Sequence, residues 1–221
     1  MAEMRTYEAT RGRVEDYFDR TATKVWEQLT SDAPVSKVRA TVRAGRDQMR
    51  AAMIAQLGDL SGKRILDAGC GTGMASEALA ALGANVMGVD ISPSLIDIAR
   101  DRLPAHLRDQ VTFEAGDMLA DRGRFDAVFA MDSLIYYTRA DLSSVLQSFQ
   151  ARAPQIVFTV APRTAFLMAF WYAGKLFPRR DRSPVMVPQD TDRLARETGA
   201  RAVTTVQRGF YISTCMEWRH G

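Results

Sequence analysis

The chain is poor in the residues that build metal sites, disulfides and membrane spans. Its 221 residues include only two cysteines, Cys70 and Cys215, and two histidines. Two distant cysteines provide neither a disulfide framework nor a metal-ligand spacing, so we expect no protein-bound metal. No apolar run approaches the ~20 residues that span a bilayer, and residues 3–20 are too polar and charged for a secretory signal. With both cysteines left free, these features predict a cytoplasmic protein.

The charge of the chain is nearly balanced. It carries 29 lysines and arginines against 26 acidic residues, for a net charge of +3. This mild excess permits an acidic substrate or an anionic membrane surface but requires neither. The chain has no strong basic stripe and no N-P-P-Y-type signature beside the fourth expected strand, which argues against nucleic acid as a partner.

Helical and strand patterns divide the chain into four parts of one domain. Short apolar runs alternate with helical segments through residues 64–161, which predicts a parallel, doubly wound α/β sheet. The parts are a helical arm at 1–60, a cofactor-binding core at 61–161, an insert at 162–188, and a helix with a strand hairpin at 189–221. The strands are expected at 64–68, 85–90, 111–115, 125–131, 155–161, 200–209 and 211–218.

A glycine-rich turn follows the first expected strand. The stretch 64–73 reads R-I-L-D-A-G-C-G-T-G, a buried strand that breaks into a turn and then opens a helix. Glycines let the backbone approach a ligand closely. The next strand ends at Asp90, about 20 residues on, where a carboxylate meets a ribose diol in nucleotide-binding folds. The pattern predicts a nucleoside-containing cofactor over the first two strands.

The acid before the turn narrows the choice of cofactor. Asp67 lies inside the strand, where its carboxylate would repel a pyrophosphate but suits a cationic sulfonium compound with a free amino group. The sequence D-A-G-C-G-T-G at 67–73 resembles the first motif of class I S-adenosylmethionine-dependent methyltransferases. Residues 113–118 and 125–132 resemble the ends of that family's third and fourth strands. Another nucleotide-binding sheet is the alternative.

The resemblance implies a Rossmann-like sheet of seven strands that binds S-adenosylmethionine and releases S-adenosylhomocysteine. It also implies that Asp117 accepts a hydrogen bond from the adenine amino group. The alternative for Asp117 is a helix cap, and Asp132 either contacts the methionine end of the cofactor or is a structural cap. Ile91 and Met118 either contact the adenine or are simple core residues. Tyr17, with Phe18, either closes over the cofactor or packs on the sheet. The candidate cofactor residues are Tyr17, Asp67, Gly69, Cys70, Gly71, Gly73, Asp90, Ile91, Asp117, Met118 and Asp132.

A more particular resemblance covers nearly the whole chain. Residues 14–21, 35–39 and 43–46 are similar to the N-terminal arm of magnesium protoporphyrin IX O-methyltransferases. So are D-S-L-I-Y-Y at 132–137, the start and end of the insert, and G-F-Y-I-S at 209–213. The resemblance implies methylation of one propionate of magnesium protoporphyrin IX on the route to chlorophyll or bacteriochlorophyll. It further implies a partner, the large porphyrin-carrying subunit of magnesium chelatase.

Tyr136 and Tyr137 are the candidate catalytic residues. The resemblance departs at Tyr136, where family members from oxygenic organisms carry a histidine. A propionate should titrate like glutamate, with a pKa of about 4.3, and is therefore an anionic nucleophile that needs no base. We expect positioning and desolvation to account for most of the rate acceleration. The two tyrosines either contact the propionate or line the pocket.

The segment 166–177 is dense in aromatic residues and interrupts the alternation of strands and helices. It is either a porphyrin-binding lid, an extra core helix or a shallow, peripheral membrane contact. The arginines at 179, 180 and 182 either grip a second propionate or form a solvated charge run. Two other functions stay open: a methyltransferase for another planar acceptor, such as a quinone precursor, and a non-catalytic cofactor-binding protein.

Overall fold

The structure is a computed structural model that describes residues 2–17, 37–175 and 186–220. Its helices are α1 (Ala2–Tyr17), α2 (Lys37–Leu57), α3 (Met74–Ala81), α4 (Pro93–Arg102), α5 (Arg139–Gln150), α6 (Ala165–Lys175) and α7 (Thr191–Thr198). Its strands are β1 (Arg64–Ala68), β2 (Asn85–Asp90), β3 (Val111–Ala115), β4 (Ala127–Ala130), β5 (Gln155–Val160), β6 (Arg201–Arg208) and β7 (Tyr211–Arg219). A short 3-10 helix at Leu134–Tyr136 follows β4.

The seven strands form one sheet in the order β3-β2-β1-β4-β5-β7-β6. The first five strands are parallel, and β7 lies antiparallel between β5 and β6. This arrangement confirms the predicted doubly wound, mostly parallel seven-stranded sheet. Because β2 and β4 lie on opposite sides of β1, a crevice opens at the carboxyl ends of these strands, where ligands bind in such folds.

Helices cover both faces of the sheet. On one face, α2 buries Met49 and Met53 in a core that includes Phe129. On the other face, α5 buries Leu146 in a core that includes Val128. Phe129 and Val128 are successive residues of β4, and their side chains point to opposite faces. Burial on both faces explains why the parallel strands read as continuous apolar runs.

The helix α2 packs closely on the β6–β7 hairpin. A Cβ atom at Gly45 would lie 2.7 Å from Cδ1 of Tyr211 and 3.1 Å from Cβ of Arg208, so the absent side chain permits this approach. The predicted arm at 1–60 therefore contains two different parts. Its second helix, α2, belongs to the core, whereas α1 lies over the cavity described below.

The fourth strand is shorter than predicted. It was expected at 125–131 and spans Ala127–Ala130, because the N–H of Phe125 donates to the carbonyl of Arg152 rather than to a neighbouring strand. The other strands agree with the prediction to within one residue at each end. The predictions for Phe18 and for the arginines at 179, 180 and 182 lie outside the described residues.

A buried carboxylate ties the antiparallel edge together. Glu217 of β7 is 1% exposed and accepts hydrogen bonds from Nε2 of Gln155 in β5 (2.8 Å) and Nε of Arg219 (2.5 Å), and it pairs with Arg201 of β6. Burial alone would raise the pKa of Glu217. The hydrogen bonds from Arg219, Gln155 and Arg201 outweigh it and hold the pKa below its usual range.

We expect Glu217→Gln to lower the free energy of unfolding at neutral pH by about 1–3 kcal/mol, because it removes charge-assisted hydrogen bonds from three strands. The folded-state pKa is depressed, so this stabilisation is present above the unfolded pKa of about 4.3 and disappears as the pH falls through the folded value. Urea unfolding at pH 7 and at decreasing pH should show the difference between the two proteins shrinking. The exposed Asp109→Asn serves as control, and a difference that stays constant across pH would contradict this account.

Candidate active site

A cavity of about 1030 Å³, including space open to solvent, lies at the carboxyl ends of β1, β2 and β4. Four aspartates and three arginines face it. From α1, α2, the first strand and turn, and the start of α3, its lining comprises Tyr7, Arg11, Val14, Arg46, Arg50, Asp67, Gly69, Cys70, Gly71, Thr72, Met74 and Ala75. From the later strand ends it comprises Val89, Asp90, Ile91, Leu95, Gly116, Asp117, Met118, Met131, Asp132, Ser133, Tyr136 and Tyr137. The structure thus brings both candidate catalytic tyrosines and nine of the candidate cofactor residues together.

Two candidates lie outside this lining. Gly73 is the N-cap of α3 with φ 81°, and a Cβ atom there would lie 2.8 Å from Cζ of Phe113. It lets α3 start close to β3. Tyr17 packs with Leu95 and Tyr136 beside the cavity rather than lining it.

Asp67 is a buried acid at the cavity floor. It is 1% exposed, and the hydroxyl of Ser76 donates to its Oδ2 at 2.6 Å. Burial raises the pKa of Asp67 to about 7, against the lowering effect of the Ser76 hydrogen bond and with a further rise from the charge of Asp90. Among the described residues, no lysine or arginine forms an ion pair with it. A buried carboxylate that has no cationic partner among the described residues suits a cationic ligand group.

Asp90 connects the end of β2 to the glycine turn. Its Oδ2 accepts from the N–H of Gly71 at 2.8 Å, and its Oδ1 accepts from the N–H of Ser92 at 3.0 Å. Carboxylate oxygens can each accept more than one hydrogen bond, so Asp90 is fixed in place while still able to receive ligand hydroxyls. Cys70, directly before Gly71 in the turn, is buried, and this burial raises the pKa of its thiol well above its usual value. The thiol therefore stays protonated.

Asp117 receives two side chains from α1. The hydroxyl of Tyr7 donates to its Oδ1 at 2.7 Å and Nη1 of Arg11 to its Oδ2 at 2.6 Å, and the N–H of Leu119 adds a third hydrogen bond. Burial raises the pKa of Asp117, but these three donors hold it below its usual range. The buried Nε of Arg11 makes no hydrogen bond within the described part of the chain, so it is available to a ligand.

Asp132 holds a cluster at the end of β4. Its backbone has φ 56°, in the left-handed region, and its N–H donates to Oγ1 of Thr159 at 2.7 Å. Its carboxylate accepts from the hydroxyl of Tyr211 at 3.1 Å and lies 3.3 Å from Nη1 of Arg46. Next to it, the hydroxyl of Ser133 donates to the carbonyl of Ala68 at 2.7 Å, which joins this turn to β1.

The two candidate catalytic tyrosines are neutral phenols. Burial, together with the charge of Asp132, raises the pKa of Tyr136. Burial also raises the pKa of Tyr137, whose ring stacks on Tyr7 with centroids 5.1 Å apart. Both can donate a hydrogen bond, but neither is disposed to act as a base at neutral pH.

The end of the insert and residue 189, which follows it, bond to the site. Gln189 donates its N–H to the carbonyl of Ala161 and its Nε2 to the carbonyl of Tyr137, at 2.8 and 3.0 Å. The N–H of Val187 donates to the carbonyl of Ile135 at 2.8 Å. The last residues of the insert are therefore fixed beside the two tyrosines.

Sequence reasoning missed the cavity residues supplied by distant helices. Tyr7 and Arg11 are four residues apart on one face of α1, a spacing that marks a shared contact without showing what it contacts. Arg46 and Arg50 have the same spacing on α2. The partners of Tyr7, Arg11 and Arg46 lie far along the chain, so no local motif reveals these contacts.

The described residues contain no group of three or more metal-ligating side chains placed to hold an ion. Within the same ranges, none of the helices is both long enough and apolar enough to cross a membrane. His106 and His220 are exposed, and neither is among the described residues that line the cavity.

Comparison with known proteins identifies the family. Residues 130–220 match the model of the magnesium-protoporphyrin IX methyltransferase C-terminus, and residues 65–152 match a methyltransferase domain. The chain is 58% identical to a magnesium-protoporphyrin O-methyltransferase of Rhodobacter capsulatus, over 96% of this chain and 98% of that protein.

Two further similarities are more distant. The crystal structure of magnesium protoporphyrin IX methyltransferase from Synechocystis PCC 6803 with bound SAH has a TM-score of 0.79 and 29% identity, and the match covers 92% of this chain and 96% of that chain. A ubiquinone biosynthesis O-methyltransferase of Alkalilimnicola ehrlichii is 29% identical over 86% of this chain and 80% of that protein. The near-complete match at 58% identity decides between these relatives: the chain belongs to the magnesium-protoporphyrin O-methyltransferase family.

Proposed function

We propose that this chain transfers the methyl group of S-adenosylmethionine to a propionate carboxylate of magnesium protoporphyrin IX, in chlorophyll or bacteriochlorophyll biosynthesis. The observation that carries the proposal is the 58% identity over 96% of the chain to a magnesium-protoporphyrin O-methyltransferase. The cavity supports it, because acids and amide groups at three strand ends suit a cationic nucleoside ligand.

The fit of the cofactor rests on two groups of the cavity that are left for a ligand. Asp67, buried without a cationic partner among the described residues, would hold the amino group. The buried Nε of Arg11 lies beside Asp117, at the end assigned to adenine. Asp90 would bind the ribose hydroxyls, and Ile91 and Met118 would flank the base.

When bound, S-adenosylmethionine supplies an electrophilic methyl group: a carboxylate oxygen forms the new O–C bond, the C–S bond breaks, and the electron pair stays on sulfur in S-adenosylhomocysteine. The protein removes no proton from a carboxylate that is already ionised. Its residues align the oxygen and exclude water, which is worth about 7–11 kcal/mol for a well-oriented pair. Tyr136 donates a hydrogen bond that orients the carboxylate of the acceptor, and Tyr137 forms the adjacent part of the cavity wall.

A phenolic acceptor, as in ubiquinone biosynthesis, is the second candidate, since one relative at 29% identity carries that name. A phenol must lose its proton on the way to the ether, which calls for a base. Burial raises the pKa values of Tyr136 and Tyr137, so both hydroxyls stay protonated at neutral pH and cannot accept this proton. No histidine is among the described lining residues, and the buried Asp67 is assigned to the amino group of the cofactor. The site therefore favours the carboxylate acceptor.

Two proposals concern the surroundings of the enzyme. The family resemblance supports hand-over of the acceptor by the large porphyrin-carrying subunit of magnesium chelatase. The apolar acceptor and the aromatic insert support a cytoplasmic protein that makes a peripheral membrane contact.

Turnover with labelled S-adenosylmethionine tests the function directly. Magnesium protoporphyrin IX, metal-free protoporphyrin and a phenolic quinone precursor are offered in parallel to the purified protein. We expect label in a porphyrin monomethyl ester, formed fastest from the magnesium porphyrin. Label in the quinone precursor alone would replace the proposal with the second candidate, and cofactor binding without transfer to any acceptor would indicate a binding protein.

We expect Asp67→Asn to weaken S-adenosylhomocysteine binding by roughly 10-fold or more, since it removes a charge-assisted hydrogen bond to the amino group. The same change should raise the free energy of unfolding of the ligand-free protein at pH 8 by about 1–3 kcal/mol. The folded pKa of Asp67, about 7, exceeds its unfolded value, so this group costs stability as the pH rises from about 4 to 7.

Calorimetric Kd values and urea unfolding at pH 5 and pH 8 check both effects, with the exposed Asp101→Asn as control. An Asp67→Asn protein that binds S-adenosylhomocysteine as tightly as the wild type would refute the assignment to the amino group.

We expect Tyr136→Phe to lower kcat about 10-fold, the effect of one lost orienting hydrogen bond, with little change in the Kd of S-adenosylhomocysteine. Ser61→Ala is the control, because it also removes a single hydroxyl, and Ser61 is exposed and is not a lining residue of the cavity. Unchanged kcat in Tyr136→Phe would restrict this tyrosine to a packing role.

A further inference from the structure

Two exposed aromatic side chains, one from the insert and one from the closing hairpin, contact each other. Phe166 of α6 is 48% exposed and Phe210, in the turn between β6 and β7, is 58% exposed. Their ring centroids are 6.3 Å apart, with the planes tilted by 46°. We call this pair the aromatic shelf. Large apolar side chains grouped on a surface mark a binding site more often than isolated ones do.

The shelf lies at the edge of the sheet where the cavity opens. In the antiparallel pair, Val160 at the end of β5 lies opposite Thr214 of β7. Residues 211–213 and the turn before them therefore extend past the carboxyl end of β5. That is the edge at which β1, β2 and β4 present their ligand-facing residues.

Each half of the shelf is attached to a wall of the cavity. Tyr211, next to Phe210 in the chain, donates its hydroxyl to Asp132, which lines the cavity. Leu167, next to Phe166, packs in a small core with Ile212 and Ala161, and the residues that close the insert bond to the turn that carries Tyr136. The shelf is thus connected through its chain neighbours to the side of the cavity that carries Asp132 and Tyr136.

The acceptor must bring apolar surface to this side. A tetrapyrrole macrocycle is flat and rigid, and only a propionate arm has to reach the methyl group inside a cavity that also holds the cofactor. The macrocycle then rests at the mouth, where it needs aromatic faces to remove it from water.

We propose that the aromatic shelf binds the macrocycle of the acceptor while one propionate enters the cavity. This inference rests on the proposed function. It adds Phe210, a residue of the closing hairpin, to Phe166 of the insert as a determinant of acceptor binding. The orientation of the propionate then follows from stacking of the ring outside the cavity as well as from polar contacts within it.

The test compares Phe166→Ala and Phe210→Ala with Leu82→Ala, another large exposed side chain, which ends α3 at the opposite edge of the sheet. Magnesium protoporphyrin IX is titrated into protein loaded with S-adenosylhomocysteine, and the shift of the Soret band gives a Kd without turnover. KM for the porphyrin, kcat, and the Kd of S-adenosylhomocysteine are measured in parallel.

We expect each shelf variant to raise the porphyrin Kd and KM about five- to tenfold, the loss of one aromatic contact and its buried area. The Kd of S-adenosylhomocysteine should stay unchanged, Leu82→Ala should behave as the wild type, and Phe210→Tyr should retain tight porphyrin binding. Porphyrin Kd values within twofold of the wild type in both alanine variants would overturn the proposal. So would an equal weakening in Leu82→Ala.

An exposed aromatic surface can also bind lipid, and flotation with anionic lipid vesicles distinguishes lipid binding from porphyrin binding. If Phe210→Ala lost flotation with vesicles but kept the wild-type porphyrin Kd, the shelf would be a lipid contact and the proposal would be wrong. A wild-type protein that binds the porphyrin but transfers no methyl group would contradict the proposed function without contradicting the proposal for the shelf. The Soret titration would still decide whether the shelf binds the ring.

Discussion

Four carboxylates face one cavity, and the structure depends on the donors that hold them there. Like charges gathered in a poorly solvated space repel one another and lose hydration, so each needs hydrogen bonds or a cation to stay ionised or fixed. The four are Asp67, Asp90, Asp117 and Asp132. Their donors come from α3, from the backbone of two turns, from α1, and from α2 with the closing strands. Formation of the site thus requires nearly the whole fold.

The sequence predicts the positions of the four carboxylates well. Each acid stands within about two residues of the carboxyl end of a parallel strand, and such ends meet at one edge of a sheet. Strand prediction alone therefore places Asp67, Asp90, Asp117 and Asp132 together. The strand boundaries followed from apolar runs because the central strands are buried on both faces. The fourth strand shows the largest excess in predicted length, since Phe125 looks like a strand residue but its N–H donates to the carbonyl of Arg152.

The donors from distant elements could not be predicted in the same way. Tyr7 and Arg11 are 110 and 106 residues from Asp117, and Tyr211 is 79 residues from Asp132. No period or motif in one sequence encodes such pairs. The aromatic segment was also ambiguous, since the same residues fit a lid or a core helix. The structure divides it: Leu167 is buried in a small core, whereas Phe166 is about half exposed.

The backbone at Asp132 restricts which residues can stand there, apart from any chemistry. Its φ of 56° lies in a region that aspartate, asparagine and glycine adopt readily and β-branched residues avoid. Shape therefore leaves few choices, and among them only aspartate carries charge. In a library of all substitutions at this position, tolerance of asparagine beside glycine would report on the turn alone. Selection for aspartate over both would measure how strongly the Arg46 and Tyr211 cluster needs a negative charge.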